Sequence, residues 1–147
     1  MPSPAVSLIV CAYRRPALLD LALASARAQA AVHFEIIVVD DSGDNRCEQV
    51  LQRHAADARV TIVRPPHQGL AASRARGVAL ARAPWVTFLD DDDTLLPEHL
   101  ASRVQLHQRF PNVQFWQGGV RCIGQQYVPD FFDRTRLMDV EQVVVGA

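Results

Sequence analysis

The sequence predicts an α/β fold in which a mostly parallel sheet is flanked by helices. Apolar segments rich in β-branched residues alternate four times with segments whose apolar residues recur at helical spacing. The strand segments are nearly continuous apolar runs, as expected of parallel strands that are covered on both faces. The 147 residues suffice for one such domain and are too few for two ordinary ones. We therefore predict a single domain whose strands are joined by right-handed helical crossovers.

Short apolar runs predict the first two strands, and amphipathic stripes predict the helices that follow them. The strands are residues 6–12 and 34–39. Pro16 suits the first turn of the first helix, because proline lacks the N–H that this position leaves unpaired. The apolar positions of that helix are Leu18, Leu19, Ala22, Leu23 and Ala26. Those of the second helix are Cys47, Val50, Leu51, His54 and Ala55.

The second half of the chain continues the alternation and then loses it. The predicted elements are a strand at 59–63, a helix at 69–83, a strand at 85–89 and a helix at 97–110. Residues 113–117 predict one more strand. Beyond them the pattern weakens, and we expect a hairpin at 120–128 and a helix or a strand at 139–145.

Composition and charge exclude several classes of protein. Hydrophobic residues make up 49% and charged residues 21% of the chain, which is typical of a globular protein and not of a disordered one. The formal net charge of −1 argues against a dedicated nucleic-acid binder, which usually carries a basic excess. All 15 basic residues are arginine. Mechanisms that need a lysine, such as Schiff-base chemistry or a P-loop, are therefore excluded.

The cysteines and the amino terminus predict a cytoplasmic protein. Cys11, Cys47 and Cys122 are an odd number at wide spacing, which fits neither a disulfide framework nor a metal-binding pair. No basic segment precedes the first apolar run, and that run is too short to span a bilayer. We expect neither a signal peptide nor a transmembrane helix.

Polar side chains follow three of the predicted strands at the end where an α/β sheet binds its ligands. The first strand leads into residues 11–15, the second into Asp40 and Asp41, and the fourth into residues 90–93. The last segment is four consecutive aspartates, which repel one another and favour a hard cation such as Mg²⁺ or Mn²⁺. The alternative is that these aspartates cap the helix that starts near Pro97.

Two other polar groups have a ligand-binding interpretation and a structural one. Asp41 could accept hydrogen bonds from a ribose or a base, or could form an Asx turn with the residues that follow it. Arg74 lies near the start of a predicted helix, where a cation opposes the helix dipole unless an anion binds there. Its alternative is a solvated surface arginine. The glycine-rich signatures of dinucleotide-binding and P-loop enzymes are absent from the sequence.

Three segments in order resemble the family 2 glycosyltransferases of GT-A fold. They are VSLIVCAYRRPALLDLALAS, FEIIVVDDSGD and GLAASRARGVALARAPWVTFLDDDD. The family pattern is a first strand ending in a tyrosine, an Asp-Asp turn, a glycine–arginine helix and a strand closing in a DxD motif. The resemblance covers residues 6 to 117, and its specificity comes from the ordered set. Two positions depart from the pattern, since Arg14 and Ala75 stand where asparagine is common.

The resemblance implies a site for a nucleotide-diphosphate sugar. Tyr13, with its two preceding residues, and Asp41 would line the base and ribose pocket, and Asp92 would bind Mn²⁺ or Mg²⁺. The full nucleotide-binding set implied is Cys11, Ala12, Tyr13, Arg15, Asp41, Arg74, Asp90 and Asp91. Residues 1–117 would then form the donor-binding core, and residues 118–147 would begin the acceptor side, so that the chain is expected to be a truncated, donor-binding half.

The implied reaction is an inverting transfer from a sugar nucleotide, with UDP the expected nucleotide, to an acceptor hydroxyl in polysaccharide or glycoconjugate synthesis. The acceptor would be a saccharide or a glycolipid. A glycolipid acceptor is compatible with peripheral association of the protein with a membrane, and self-association of the chain is also compatible with this function. A carboxylate base is required, but no acidic acceptor-side motif is recognisable after residue 117. The only acids there are Asp130, Asp133, Asp139 and Glu141. We therefore expect this chain alone to transfer sugar poorly.

Two other functions compete with this interpretation. A non-catalytic nucleotide-binding module would keep the donor pocket without a base. A phosphatase of the haloacid dehalogenase type would use Asp90 as nucleophile and Asp92 as acid and base. The phosphatase motif, however, is expected at the first strand of the sheet, and that class uses a lysine that this sequence lacks.

Overall fold

The structure of the chain is a computed structural model, which describes residues 3–116. Its strands are β1 (Val6–Ala12), β2 (Phe34–Asp40), β3 (Val60–Val63) and β4 (Trp85–Asp90). Its helices are α1 (Pro16–Arg27), α2 (Glu48–His54), α3 (Leu70–Leu80) and α4 (His99–Arg109). Strands and helices alternate throughout, as the sequence predicts for this part of the chain. Two compact units divide the chain, Met1–Val104 with the whole sheet and Gln105–Ala147.

The four strands form one parallel sheet in the order β3-β2-β1-β4. At its centre Val10 of β1 pairs with Val38 of β2 on one side and with Leu89 of β4 on the other. Every residue of β1 and β2 is buried, whereas β3 and β4 at the two edges are partly exposed. Burial on both faces explains why the two central strands are continuous apolar runs.

The strand order creates a crevice at one place along the sheet. From β1 the chain moves outward through β2 to β3, and it then crosses back to β4 on the other side of β1. The helix that follows β1 and the helix that precedes β4 therefore lie on opposite faces of the sheet. Open α/β sheets bind their ligands at such a switch point.

Helices cover both faces of the sheet and fix the strand ends. On one face Leu19 and Leu23 of α1 and Leu51 of α2 join the main apolar cluster, packed on Leu8 and Val38. On the other face α3 covers the smaller cluster of Ile9, Cys11, Ile37 and Val39. The strands are therefore close-packed on both faces, and this packing fixes the positions of the polar residues at their carboxyl ends.

The first two helices bury the faces predicted for them, except at Leu18 of α1 and at Ala55, which is exposed directly after α2. Leu19, Ala22, Leu23 and Ala26 of α1 are fully buried, but the Leu18 side chain is 40% exposed and lies on the solvent side of the helix. Leu18 lies two residues after Pro16, the first residue of the helix. The buried stripe therefore begins at Leu19, one residue later than predicted.

The ends of α3 and α4 differ from the prediction because other groups take their backbone hydrogen bonds. The backbone N–H of Arg82 donates to the buried Glu35 carboxylate at 2.8 Å, so α3 ends at Leu80 and not at residue 83. At the start of α4, the buried Gln29 accepts a hydrogen bond from the Leu100 N–H at 3.0 Å, and the helix begins at His99.

The strand predicted at 113–117 is wrong over residues 113–116, which have no regular secondary structure. An extended segment becomes a strand only by pairing with another strand, and no strand within residues 3–116 pairs with this one. The elements predicted at 120–128 and 139–145 lie outside the described residues. No helix of the described region is long and apolar enough to cross a membrane.

Candidate functional site

A cleft of about 300 Å³ opens at the carboxyl ends of β1 and β4, where the strand order reverses. Its wall contains eight of the nine residues that the sequence singles out for binding. These are Cys11, Ala12, Tyr13, Arg15, Asp41, Asp90, Asp91 and Asp92. The same cleft has four further lining residues that the sequence analysis did not assign to it, namely His67, Gly69, Leu70 and Ser73. Its volume lies at the lower end of the range for ligand pockets.

Arg74, the ninth residue, does not line the cleft but is hydrogen-bonded to Asp90, which does. Its Nη2 atom lies 2.8 Å and 3.2 Å from the two carboxylate oxygens of Asp90, and its guanidinium lies 5.4 Å from the centre of the Phe88 ring. Its Nε atom is buried, and none of the residues 3–116 accepts a hydrogen bond from it. A buried donor without an acceptor is costly unless something else binds it.

Arg15 bridges two carboxylates across the mouth of the cleft. Its Nη2 atom donates to Oδ1 of Asp91, and its Nη1 atom donates to Oδ2 of Asp92 at 2.5 Å. The other oxygen of Asp91 accepts the backbone N–H of Tyr13 at 2.8 Å. Asp91 is fully buried, whereas the Asp92 and Arg15 side chains are about half exposed, at 45% and 46%. The ends of β1 and β4 are thereby joined through one buried carboxylate.

The carboxylates of this segment are electrostatically crowded. Burial raises the pKa of Asp91, against the lowering effect of the Tyr13 N–H and of Arg15. Burial, together with the charges of Asp92 and Asp90, raises the pKa of Asp93. Both shifts arise because negative charge is concentrated where water is partly excluded. Such a place gains from a bound cation.

Cys11 is part of the cleft wall but is chemically quiet. Burial raises the pKa of its thiol to about 11, although the Arg74 charge opposes that shift. At neutral pH the group is the thiol, and the thiolate is the nucleophilic form. Cys11 can therefore shape the pocket by packing, and its protonated thiol is a poor nucleophile.

Asp41 ties the end of β2 to the start of α3. Its Oδ1 and Oδ2 atoms accept the backbone N–H groups of Gln68 at 2.9 Å and Gly69 at 2.8 Å. Gly69 has φ +88°, a left-handed conformation that favours glycine. The Asx turn that was the alternative for this segment is made by Asp40, whose Oδ1 accepts the Ser42 N–H at 3.1 Å. Asp41 instead binds the backbone that leads into the helix.

His67 joins Tyr13 and Asp41 at the rim, and sequence reasoning did not assign it to the site. Its ring centre lies 4.9 Å from that of Tyr13 at an interplanar angle of 31°, and its Nδ1 atom lies 2.8 Å from Oδ2 of Asp41. The one signal in the sequence is its position two residues before Gly69, in the loop that leads into α3. That loop has to pass the strand ends because α3 packs on β1 and β2.

Arg14 adopts a left-handed conformation, with φ +57°. Its backbone N–H donates to the Ser42 hydroxyl at 2.9 Å, and its guanidinium lies 5.1 Å from the centre of the Tyr13 ring. Asparagine tolerates this region better than other side chains with a Cβ do. The conformation gives a physical reason why asparagine is common at this position in the family that the sequence resembles.

The donor set at the β4 end suits a hard cation. Oxygens from Asp91 and Asp92 already converge on a single positive group, the Arg15 guanidinium. Carboxylate oxygens are the ligands that Mg²⁺ and Mn²⁺ prefer. Within residues 3–116 no three His, Cys, Asp or Glu side chains are placed to hold a metal ion by themselves. A cation there would complete its shell from a ligand or from water. Capping of α4 does not occupy these acids, since Gln29 binds the start of that helix.

Known proteins of similar sequence and fold point to one family. The chain is 34% identical to an uncharacterized glycosyltransferase of Haemophilus influenzae over 80% of this chain and 39% of that protein. It is 33% identical to the succinoglycan biosynthesis protein ExoW of Rhizobium meliloti, with coverage of 70% and 34%. A beta-1,3-glucosyltransferase of Campylobacter jejuni that acts on GalNAc(5)-diNAcBac-PP-undecaprenol is also 33% identical, with coverage of 69% and 34%. The chain thus spans less than half the length of these relatives.

Solved structures share the fold at low sequence identity. S. aureus TarS 1-349 in complex with UDP-GlcNAc superposes with a TM-score of 0.76 at 21% identity, over 88% of this chain and 38% of that one. The mannosyltransferase PcManGT of Pyrobaculum calidifontis, in complex with GDP-Man and Mn²⁺, gives 0.71 at 20% identity, over 83% and 37%. The fold is the GT-A fold that the sequence predicts. The sequence model described as Glycosyl transferase family 2 matches residues 7–136, and the chain belongs to that family.

Proposed function

We propose that this chain is the donor-binding part of an inverting glycosyltransferase. The enzyme would transfer a sugar from a nucleoside diphosphate, with UDP the expected nucleotide, to a hydroxyl of a saccharide or glycolipid acceptor. The observation that carries the proposal is the cleft at the switch point, where an aromatic pair, Arg15 and four aspartates from separate segments meet, with Arg74 paired to one of the aspartates from behind the wall. Aromatic rings suit a base, and guanidinium groups suit a diphosphate.

The relatives support the choice of donor and acceptor classes. TarS is described in complex with UDP-GlcNAc and PcManGT with GDP-Man, so both fold neighbours bind nucleoside diphosphate sugars. The Campylobacter jejuni relative acts on a polyprenyl-linked saccharide, and the Rhizobium meliloti relative belongs to polysaccharide biosynthesis. We carry these classes over as a proposal for polysaccharide or glycoconjugate synthesis. Within that proposal the enzyme works in the cytoplasm, in keeping with the free thiols of Cys11 and Cys47.

Each site residue receives a role from its position in the cleft. Tyr13 would stack on the base, with Cys11 and Ala12 forming the wall beneath it, and Asp41 would hold the loop around the base and ribose. Asp90 and Asp91 would face the ribose or the sugar, and Asp92 would bind Mn²⁺ or Mg²⁺. When bound, such a cation neutralises the diphosphate that departs in the reaction.

Arg74 and Arg15 would hold the donor's diphosphate. Arg74 has its Nε donor buried and without an acceptor among residues 3–116, in the first turns of α3 behind the cleft wall. Arg15 has its guanidinium half exposed at the mouth of the cleft. Two guanidinium groups on neighbouring segments can bind several phosphate oxygens, which fixes the orientation of the sugar toward its acceptor.

The catalytic base is proposed to lie on the acceptor side. The four acids that follow residue 117, Asp130, Asp133, Asp139 and Glu141, lie outside the described residues. A base typically contributes ~10²–10⁴-fold to rate, so donor binding without it gives slow hydrolysis at most. A non-catalytic nucleotide-binding module would show donor binding with no transfer in any length of the protein.

The phosphatase alternative finds no support in the site. Asp90, which would be its nucleophile, is paired with Arg74 and lies at the end of the fourth strand of the chain. Asp92, which would be its acid and base, is held by Arg15. The chain also belongs to a transferase family. We therefore propose no phosphate-ester hydrolysis.

A nucleotide panel tests the proposal. Thermal unfolding of the 147-residue chain would be followed with UDP, GDP, ADP and UMP, each with Mn²⁺. UDP is expected to raise the unfolding temperature more than UMP does, because the second phosphate engages the arginines. A radiolabelled sugar-nucleotide assay with saccharide and glycolipid acceptors would then measure transfer. No stabilisation by any nucleoside diphosphate would overturn the donor-binding proposal. Turnover of an aryl phosphate that is lost in Asp90→Asn would favour the phosphatase.

A further inference from the structure

We propose that Arg15 makes metal binding depend on the nucleotide. In the free protein its guanidinium pairs with Asp91 and Asp92, and it must leave Asp92 before a divalent cation can bind that carboxylate. The guanidinium of Arg15 would then bind the diphosphate of the donor instead. This inference rests on the proposed function, and it concerns the order in which metal and nucleotide enter the site.

The geometry already uses the oxygens that a metal would need. One nitrogen of Arg15 donates to Oδ1 of Asp91, and another lies 2.5 Å from Oδ2 of Asp92. The second oxygen of Asp91 is taken by the Tyr13 N–H. A guanidinium that forks between two carboxylates is held by two charge-assisted hydrogen bonds. A cation cannot occupy the same positions, so Arg15 and a metal ion compete for them.

The side chain of Arg15 is free to move while its backbone is fixed. Its carbonyl oxygen accepts the Leu19 N–H at 2.9 Å, which anchors the residue at the amino end of α1 directly before Pro16. The side chain is 46% exposed. A rotation of the side chain can therefore transfer the guanidinium from the carboxylates to a ligand in the cleft without disturbing the helix.

The position of Arg15 favours a move toward an anion. It lies at the N-cap of α1, whose first turn has no acidic residue. A cation at this end opposes the helix dipole, and an anion there is favoured by it. A diphosphate bound near the same end would satisfy both the guanidinium and the helix. The nucleotide therefore offers Arg15 a better partner than the two aspartates, and it brings phosphate oxygens as further ligands for the metal.

The consequence is positive coupling between metal and nucleotide. Metal alone has to displace Arg15 at the cost of its two ion pairs, whereas with nucleotide bound the contacts of Arg15 to the diphosphate replace those ion pairs. Coupling between two ligands is reciprocal, so the metal should also strengthen nucleotide binding by the same factor. Removal of Arg15 should reduce that factor by strengthening the binding of metal alone.

The experiment is a titration of Mn²⁺ alone into the nucleotide-free chain, with free Mn²⁺ measured by electron paramagnetic resonance. Arg15→Gln is expected to bind Mn²⁺ at least about fivefold more tightly than the unmodified chain does. Arg53→Gln is the matched control, because this substitution removes the same charge. Arg53 lies on α2, is exposed and is paired with Asp20. The control should leave the Mn²⁺ affinity unchanged. Loss of a merely structural contact would weaken metal binding or leave it as it was.

The same titration in the presence of UDP separates this inference from the proposed function. Equal Mn²⁺ affinity of the unmodified chain and Arg15→Gln, or an equal gain in Arg53→Gln, overturns the role of Arg15 even if UDP binds. Tighter Mn²⁺ binding in Arg15→Gln with no binding of UDP to the unmodified chain supports the competition and rejects the donor site. If Arg15→Gln does not fold, Arg15→Lys decides the matter. A single ammonium holds two carboxylates less well, so Mn²⁺ should bind that variant more tightly, and unchanged affinity overturns the inference.

Discussion

Gly77 of α3 lies so close to Ile9 of β1 that a Cβ atom at position 77 would come within 2.4 Å of the Ile9 Cγ2 atom. Ile9 is fully buried at the centre of the sheet, and its Cγ2 is a methyl group on the branched Cβ, whose restricted rotation keeps the methyl in place. The glycine therefore lets α3 approach the strand that carries Cys11, Ala12 and the loop to Tyr13. The same helix contributes Leu70 and Ser73 to the wall of the cleft.

We expect Gly77→Ala to lower the free energy of unfolding by ~1–3 kcal/mol, because the added methyl overpacks the core. At an exposed helical position the same change would stabilise the chain by ~1 kcal/mol. Chemical denaturation measures the effect. In an Ile9→Ala background the loss caused by Gly77→Ala should shrink, which a double-mutant cycle detects. An equal loss in both backgrounds would contradict the contact as its cause.

The left-handed conformation of Arg14 gives a second prediction. Arg14→Asn should leave the free energy of unfolding within ~1 kcal/mol, because asparagine accepts this conformation and the ion pair lost, with Asp44, is partly exposed. Arg14→Val should cost ~1–3 kcal/mol more, since a β-branched residue is strained there. Denaturation curves of the two variants make the comparison. Equal stabilities would mean that the backbone at position 14 is not held in this conformation.

Asp57 gives a prediction about acid stability away from the cleft. Its carboxylate accepts two side-chain hydrogen bonds from Arg59, at 3.0 Å and 2.8 Å, and one from Arg27 at 3.0 Å. The hydrogen bonds from Arg59 in particular hold the pKa of Asp57 well below its usual range. Because the folded-state pKa is the lower one, the stabilisation is present above the unfolded-state pKa of roughly 4 and is lost as pH falls through the folded-state value.

Asp57→Asn should accordingly lower the free energy of unfolding at pH 7 by ~1–3 kcal/mol, with the difference from the unmodified chain shrinking in acid. Urea denaturation at a series of pH values tests this. Glu98→Gln removes an exposed carboxylate and serves as the control, with little expected change. A difference that stays constant down to acid pH would contradict the assignment.

Asp41 is expected to act on nucleotide binding through the loop that it holds. Asp41→Asn replaces one acceptor oxygen by an NH₂ group that faces a backbone N–H of Gln68 or Gly69. The loop carrying His67 should shift, and UDP affinity should fall on the order of tenfold. The fall should be the same with Mn²⁺ and with EDTA, because the metal is not involved. Asp44→Asn is the control, because it changes an acid in the loop between β2 and α2, whereas the backbone N–H groups of Gln68 and Gly69 bond to Asp41. A loss confined to the Mn²⁺ condition would contradict the positioning role.

The central part of the fold follows from the sequence because it depends on burial alone. The bounds of β1 are those predicted, and β2 is longer by one residue, Asp40, whose burial among polar partners an apolar run does not reveal. The strand predicted at 113–117 fails over residues 113–116, because pairing is a property of the whole sheet and not of the segment. The end of α3 was missed for a similar reason, since Glu35 binds the backbone there from a distant strand.

The strand ends and the ordered motifs were enough to predict which residues lie at the site. Eight of the nine residues singled out line one cleft, because all of them end parallel strands or lie shortly after them. The contacts among them were not predictable. That Arg15 bridges Asp91 and Asp92 depends on the neighbouring placement of β1 and β4, and that His67 stacks on Tyr13 depends on a loop packed by α3. Neither relationship leaves a periodic trace in the sequence.

The most direct test of the donor site is calorimetric titration of UDP into the 147-residue chain with Mn²⁺ and with EDTA. UDP is expected to bind, EDTA to weaken the binding, and Asp92→Asn to remove the Mn²⁺-dependent part of the affinity. Asp93→Asn removes the same charge one residue away and outside the cleft wall, and it should largely keep the Mn²⁺ dependence. Equal UDP affinity of the unmodified chain in Mn²⁺ and in EDTA, or no binding in either, would contradict a metal-dependent nucleotide-sugar site at this cleft.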